Sequence, residues 1–424
     1  MKYELAYGKK KLAVELPEKN VVKVLNIKSV PPVENPDSDV RYNIMHPNGT
    51  LPLQEIAQRK RSACIVISDI TRPVPNKIIL PPILETLESA GIKPKDITIL
   101  VGTGLHRAST PEEKDEMLGA AICNRYKVED HFAKNTAQHT YLGNSSGGVP
   151  VWIDKRYIEA EVKILTGLIE PHFMAGFSGG RKSICPAITA AETILAWHSP
   201  RFLEHKNAKF GCLETNPVHT ELMEIAGKAG CDFIVNVVIN HERRILKTVA
   251  GEMEAAHLEG VEFARQVTTD TVEEPVDIVI TSSAGYPLDK TWYQSVKGIV
   301  GALDILKEDG TIILAAACDE GFGSKEFENI AERFSSIDDF MNAICSGTFQ
   351  CVDQWQLEEL AKALRKGRVI VVSDGLMPEQ FENFYVKHSP TVETALAAAL
   401  KEHGTDAKIA VLPDGPYVLA EVKR

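Results

Sequence analysis

Glu161-Val-Lys-Ile-Leu-Thr-Gly167-Leu-Ile-Glu-Pro-His172-Phe-Met-Ala-Gly-Phe-Ser-Gly-Gly-Arg181-Lys182-Ser183 is an apolar run that ends in a glycine-rich loop with one histidine and two adjacent cations. The run from Glu161 to Thr166 predicts a buried strand. Glycines let backbone N–H groups come close to a ligand, Arg181 and Lys182 supply charge, and His172 can move a proton. Together they make an anion or phosphate site with an acid/base group beside it. The loop nearly repeats the phosphate-cradling P-loop, with Gly176 first and Lys182-Ser183 last. Arg181, however, stands where that pattern needs its second glycine, so a standard nucleotide triphosphatase is disfavoured. A plain strand-to-helix turn with a solvated basic edge would use the same residues.

Upstream, the same arrangement occurs twice. Ala63 to Ser68 reads as a strand, followed by the turn Asp69-Ile-Thr-Arg-Pro73 and a helix from Leu80 to Ala90. Asp96 to Val101 reads as another, ending at Gly102-Thr-Gly-Leu-His106-Arg107, with a helix from Pro111 to Ala120 whose first turn is acidic. Ala190 to Ala196 is helix-compatible. A new series starts near Pro275, with strands at 276–281, 311–316, 368–373 and 408–412 and helices at 290–306, 353–365 and 391–401. Short apolar runs alternating with helices predict an α/β fold, here two α/β domains with mostly parallel sheets and the active site in the cleft between them. The acidic, threonine-rich stretch Thr268 to Pro275 reads as a linker. It divides the chain into an N-terminal cofactor-binding and catalytic domain, 1–270, and a C-terminal domain, 275–424, that closes the cleft.

Composition bounds the function. The chain has 424 residues, 44% hydrophobic and 25% charged, as expected of an ordinary globular protein. Its net charge of −11 argues against nucleic acid or an anionic membrane as a partner, so an anionic ligand must be held by local cations. The N-terminus has no apolar core before a small-residue cleavage site, and no later run reaches spanning length, so a cytoplasmic location is expected. Eight cysteines without a Cys-x-x-Cys pair predict free, mostly buried thiols.

In open parallel sheets ligands bind at the carboxyl ends of the strands. Asp69, Thr71 and Arg72 follow one strand, His106 and Arg107 the next, and His172, Arg181 and Lys182 the third. In the second domain, Ser282 to Asp289 follows a strand and leads into Trp292-Tyr293-Gln294-Ser-Val-Lys297. Each residue also has a plainer reading. Asp69 would serve as an Asx turn or helix cap, Arg72 as a surface cation, and Gln294 and Lys297 as a solvated pair on one helix face. Trp292 and Trp355 suit packing, although Trp355 beside Gln354 can wall a small polar pocket. Nine histidines, at 46, 131, 139, 205, 219, 241, 257, 388 and 403, are read as structural or exposed. His106, His172 and His198 are set apart by their flanking sequence.

Six motifs in order resemble the nickel-dependent lactate racemase family over essentially the whole chain. They are Ser68-Asp-Ile-Thr-Arg-Pro73, Gly102-Thr-Gly-Leu-His-Arg107, Glu170 to Ser183, Ala196-Trp-His-Ser199, Gly285-Tyr-Pro-Leu-Asp289 and Tyr293-Gln-Ser-Val-Lys297. The resemblance implies a racemase or epimerase that inverts C2 of a 2-hydroxy acid by reversible hydride transfer. It further implies a nickel-pincer nucleotide, pyridinium-3,5-bisthiocarboxylic acid mononucleotide nickel, tethered at Lys182 where it is covalent, with His198 as the protein ligand to Ni. His106 and His172 match the paired acid/base histidines. Arg72, Gln294 and Lys297 match positions holding the substrate carboxylate or intermediate, with Tyr293 and Trp355 beside them. Asp69, Thr71, Gly179, Gly180, Arg181 and Ser183 match the cofactor side.

Two departures bear on the substrate. Ile70 stands where such racemases often have another histidine, and Ala108 where a proline is common. Lactate, malate, longer aliphatic acids and sugar acids all stay open. The expected partners are the small-molecule substrate and the enzymes that make the cofactor; oligomeric state is open, a homodimer included. Two rival readings are a NAD-dependent hydroxy acid dehydrogenase, for which the Gly-x-Gly-x-x-Gly turn is missing, and a non-catalytic nucleotide or cofactor carrier. A carrier would need neither the histidine pair nor Arg72.

Overall fold

Two six-stranded sheets organise the chain. The computed structural model describes residues 1–423. The first sheet has the order Ile245–Gly251, Phe233–Ile239, Val162–Leu168, Ala63–Ser68, Ile97–Gly102, Lys127–Asp130. Neighbours are parallel except for the first two, which form a hairpin at one edge. Successive side chains of a strand leave opposite faces, and in Ala63–Ser68 both faces are covered. Cys64 and Val66 enter one core with Ile153 and Trp197; Ile65 and Ile67 enter another with Ile79, Leu80 and Ile83 of the helix Asn76–Ser89. That is why the segment reads as a continuous apolar run. Truncating Ile65 to Ala in such a place costs about 2–5 kcal/mol.

The second sheet has the order Lys387–His388, Gly367–Val372, Leu306–Ala315, Val276–Ser282, Ile409–Leu412, Val21–Val24, all parallel. In the first sheet the chain starts in the middle, winds to one side and then returns to the other; in the second it does the same from Val276–Ser282 onward, after laying down the edge strand Val21–Val24. The reversal falls between Ala63–Ser68 and Val162–Leu168 in the first sheet, and between Val276–Ser282 and Ile409–Leu412 in the second. Loops from the two strands at such a point diverge and leave a crevice at their carboxyl ends.

The mixed α/β class and the mostly parallel sheets are as the sequence predicts; four details are corrected. Residues 1–25 do not belong with the N-terminal domain: Val21–Val24 pairs with Ile409–Leu412, and the hairpin Lys2–Tyr7/Lys10–Glu15 packs Leu5 and Val14 into the second sheet's core. The supposed linker contains a strand, Thr269–Val272, paired in parallel with Leu419–Val422. The glycine loop runs into a short 3-10 turn, Gly180–Ser183, and the helix-compatible run from Ala190 to Ala196 is the helix Ala191–Trp197. The predicted helix 290–306 stops at Val300, and Leu306 already belongs to the next strand. The eight thiols are free, but only Cys64, Cys185 and Cys318 are buried. Among the described residues no helix is long and apolar enough to cross a membrane.

Candidate active site

Ser68 and Gly102 are neighbours across the ladder, and Val66 pairs with Leu165, so three loops leave the first sheet side by side. They line a cavity of about 200 Å³, whose opposite wall comes from the helices Trp292–Val300 and Gln354–Lys366. Asp69, Thr71, Arg72, His106, His172, Gly179, Lys182, Ser183, His198, Tyr293, Gln294, Lys297 and Trp355 all line it. Asp69, Arg72, His106, Tyr293 and Gln294 also border a wider outer cleft of about 900 Å³.

On the first wall each of the three histidines has a partner from its own domain. His106 Nδ1 lies 2.6 Å from Asp69 Oδ2, and the other Asp69 oxygen accepts from Thr71 N (3.2 Å) and Oγ1 (2.5 Å). Burial pushes the Asp69 carboxyl up, but the His106 and Thr71 hydrogen bonds and the charges of His106 and Arg72 outweigh it and hold the group below the usual range. His172 sits in a small hairpin, Pro171–His172 against Gly176–Phe177, where its Nδ1 accepts from Met174 N and Ala175 N, both at 3.2 Å. Burial, then Lys182, Lys297, Arg72 and Arg181, drive its pKa well below the ordinary histidine value. His198 donates from Nδ1 to Ile194 O at 2.8 Å, which leaves a lone pair on Nε2. Its ring is stacked between Trp197 (centroids 3.4 Å) and Trp355 (4.1 Å), and burial keeps it neutral. The Lys182 amine, 5.9 Å from the Trp197 ring centre, is lowered to about 7 by burial and by Arg181 and Arg72.

On the second wall the polar groups hold one another. Lys297 Nζ donates to Gln294 Oε1 at 2.5 Å, Trp355 Nε1 to Tyr293 Oη at 2.8 Å, and Gln356 Nε2 to Tyr293 O at 2.6 Å. Thr291 caps the first of these helices through Gln294 N. Lys297 also lies 5.7 Å from the Phe173 ring centre, across the cleft and next to His172. Burial and Arg72 lower its pKa strongly, with Glu170 opposing.

Two expected site residues point elsewhere. Arg181 is fully buried, donating to Ala175 O at 2.7 Å with its Nη1 3.1 Å from His257 Nε2, so it braces the loop from behind rather than facing the cavity. Burial lowers it to about 9. Gly180 packs on the same His257 ring, so that a Cβ there would lie 3.0 Å from it. Ser183 lines the cavity but spends its hydroxyl on Thr166 O at 2.9 Å. Arg107 pairs with Glu113 at the cleft mouth.

The sequence reading gave no role to three residues of the site. Glu170 lines the cavity among Arg72, Lys297 and Lys182, and burial pushes its pKa up. Asp353 lines the second wall in a left-handed conformation (φ 67°), its carboxylate accepting from Ser324 Oγ at 2.5 Å instead of capping the helix behind it. Asn236 anchors the glycine loop by accepting from Gly180 N at 2.8 Å. A lone polar residue inside the run Phe233–Ile239 is the sequence signal for this last one.

The chain matches the model of the lactate racemase N-terminal domain over residues 7–211 and that of the lactate racemase C-terminal domain over 271–420. It is 37% identical to a lactate racemase of Thermoanaerobacterium thermosaccharolyticum over 424 residues, 99% of each chain. With a lactate racemase of Lactiplantibacillus plantarum the identity is 34% over 423 residues, again 99% of each. The structure of the Thermoanaerobacterium lactate racemase apoprotein superposes with a TM-score of 0.93 at 36% identity, covering 99% of this chain and all of that one. A Thermotoga maritima protein shares the fold at 17% identity, with a TM-score of 0.70, 93% of this chain and all of that one covered. Two domain models and two relatives matching nearly end to end make this chain a member of the lactate racemase family, a family of isomerases.

Proposed function

We propose that the protein inverts C2 of a 2-hydroxy acid, lactate or a close relative, with a nickel-pincer nucleotide as hydride acceptor. The observation that carries this reading is the convergence of His106, His172, Lys182 and His198, from three separate segments, on one cavity with Arg72 and Lys297. The donor set fits the cofactor. Among the described residues no three His, Cys, Asp or Glu side chains converge to hold a metal ion, so His198 could only complete a coordination sphere supplied mostly by something else. Its neutral ring with a free Nε2 is the form a metal requires. Lys182, buried and lowered to about 7, offers an amine that can lose its proton near neutrality and carry a covalent tether.

When bound, the cofactor would supply an electrophilic carbon able to take the C2 hydrogen with its electron pair, which no amino-acid side chain can do. The remaining work falls to the chain. Arg72 and Lys297 bind the substrate carboxylate, and Gln294 fixes the Lys297 amine. A histidine receives or returns the hydroxyl proton, His106 with Asp69 behind it and His172 from the other side of the cavity. Tyr293 and Trp355 close the second wall and, with Phe173, keep the reacting centre dry.

Protein loaded with the nickel-pincer nucleotide and assayed with a panel of single-enantiomer 2-hydroxy acids, without added NAD, tests the reading and names the substrate. The expected outcome is interconversion of at least one pair. Turnover that needs NAD, or none with any acid, would replace the proposal with a dehydrogenase or a carrier.

A further inference from the structure

A reacting histidine has to be aimed, and its ring turns easily because rotation about the last side-chain bond has only broad minima. His106 is held at Nδ1 by a side chain, Asp69, and His198 by a carbonyl of its own helix. His172 is held by backbone instead, its Nδ1 accepting from Met174 N and Ala175 N at 3.2 Å each, in a hairpin whose strands are two residues long. A hairpin of that size has no independent stability. Its tip is held from behind.

Three consecutive carbonyls of the tip accept from outside it. Asn216 Nδ2 donates to Met174 O at 2.9 Å, Arg181 Nη2 to Ala175 O at 2.7 Å, and Gly211 N to Gly176 O at 3.0 Å. A C=O and the N–H of the next residue share one rigid plane and point opposite ways. Asn216 therefore grips the same peptide group whose other end, Ala175 N–H, meets His172. Were that plane to turn over, a carbonyl oxygen would face Nδ1 in place of the N–H. Arg181 fixes the next plane along.

Both side chains are fully buried, and neither lines the cavity. Asn216 also caps the helix Pro217–Ala229 through Val218 N (2.9 Å) and His219 N (3.3 Å), so one amide joins that helix to the hairpin. Arg181 has no acidic partner among the described residues, and burying a cation without one is costly. The two groups it touches are bonded without it: Ala175 O accepts from Phe177 N at 2.9 Å, and His257 Nε2 lies 2.8 Å from Ser178 O. Stability does not explain a guanidinium here. Its grip on the hairpin does.

We propose that Arg181 and Asn216 are positioning residues of the active site, holding the Met174–Ala175 and Ala175–Gly176 peptide planes so that His172 meets the substrate oxygen at one fixed angle. The inference rests on the racemase reading above and gives these residues no contact with substrate or cofactor.

Arg181→Met and Asn216→Ser separate this from a plain structural role, and serine keeps the helix cap. In protein loaded with the nickel-pincer nucleotide, each should lower kcat roughly ten- to hundredfold and change KM by less than about twofold, because Arg72 and Lys297 are untouched. Added to His172→Ala, either should cost nothing further, since both act through that ring. Arg181→Met should melt no lower than the wild type. In the apoprotein, hydrogen exchange over residues 172–177 should quicken in both variants while the strand Val162–Leu168 stays protected. Wild-type kcat in either variant overturns the inference. So does a loss of equal size with and without His172, together with a lower Tm, which would make Arg181 a plain brace. If the loaded wild type racemises no acid, the proposed function falls and exchange alone decides this one. Unchanged protection of the Met174 and Ala175 amides in both variants would then overturn it.

Discussion

The two walls of the cleft are built differently. On the first, each histidine is tied back to its own domain: His106 to Asp69, His172 to two backbone amides, His198 to Ile194 O. On the second, the polar groups are tied to each other, Lys297 to Gln294 and Trp355 to Tyr293, on two packed helices. The first wall is set before a ligand arrives. The second holds its groups to one another, which suits binding and positioning more than bond breaking.

That contrast can be broken most sharply on the first wall. His106→Ala and His172→Ala should each lower racemisation by roughly 10²–10⁴ while leaving nickel in place. His198→Ala should lose the metal, as measured by metal content after loading and desalting. Nickel retained by the His198 variant would dissolve the division of labour.

Asp69→Asn comes next, with a loss of roughly hundredfold in kcat, because the His106 ring loses the partner that fixes its tautomer and stabilises its cation. Asp69 also links folding to pH. Its folded pKa is depressed, so its contribution is present above the unfolded carboxyl value and fades as pH falls through the folded one. The variant should therefore lose that acid-side slope in denaturant titrations; an unchanged slope would show the pair to be idle.

On the second wall Lys297→Met should act mainly through binding, raising KM roughly tenfold or more with a smaller change in kcat. A loss confined to kcat would move Lys297 to the chemistry and erase the contrast between the walls. The smallest effect lies behind this wall. Glu358 and Glu359 are fully buried, and neither Glu358 oxygen has a hydrogen-bond partner among the described residues. Burial pushes both carboxyls up, with Glu359 adding to the shift at Glu358 and the Lys362 ion pair offsetting part of that at Glu359. Raised carboxyls favour the folded state while protonated, and that preference is lost as pH rises from the unfolded value through the folded one. Glu358→Gln should thus gain about 1 kcal/mol at pH 8 relative to pH 5, seen as a rise in Tm at the higher pH. No gain would place a compensating partner at that carboxylate.

The first wall was far more legible in the sequence than the second. Strands buried on both faces leave continuous apolar runs, and the groups that follow them stand within a few residues of the strand ends, as Asp69, His106 and His172 do. Lys297 and Trp355 lie 58 positions apart on different helices, and only their meeting through Tyr293 makes a wall. Arg181 failed for a related reason: adjacent residues of a tight turn point to opposite sides, so one cation of the pair faces the cavity and the other His257. The hairpin Phe233–Ile239/Ile245–Gly251 and the edge strand Lys127–Asp130 went unread as well. The placement of Val21–Val24 could not be read locally, since its partner lies almost four hundred residues away.

That last pairing governs the order in which the protein can be made. The edge of the second sheet needs Val21–Val24 and Ile409–Leu412 together, so during synthesis the opening strand must wait, unpaired, until nearly the whole polypeptide has left the ribosome. The unit holding the histidines, encoded between them, has all its strands by Gly251 and can be folded long before. A nascent chain stalled near residue 300 should already resist protease over that unit while its first 25 residues are still cut.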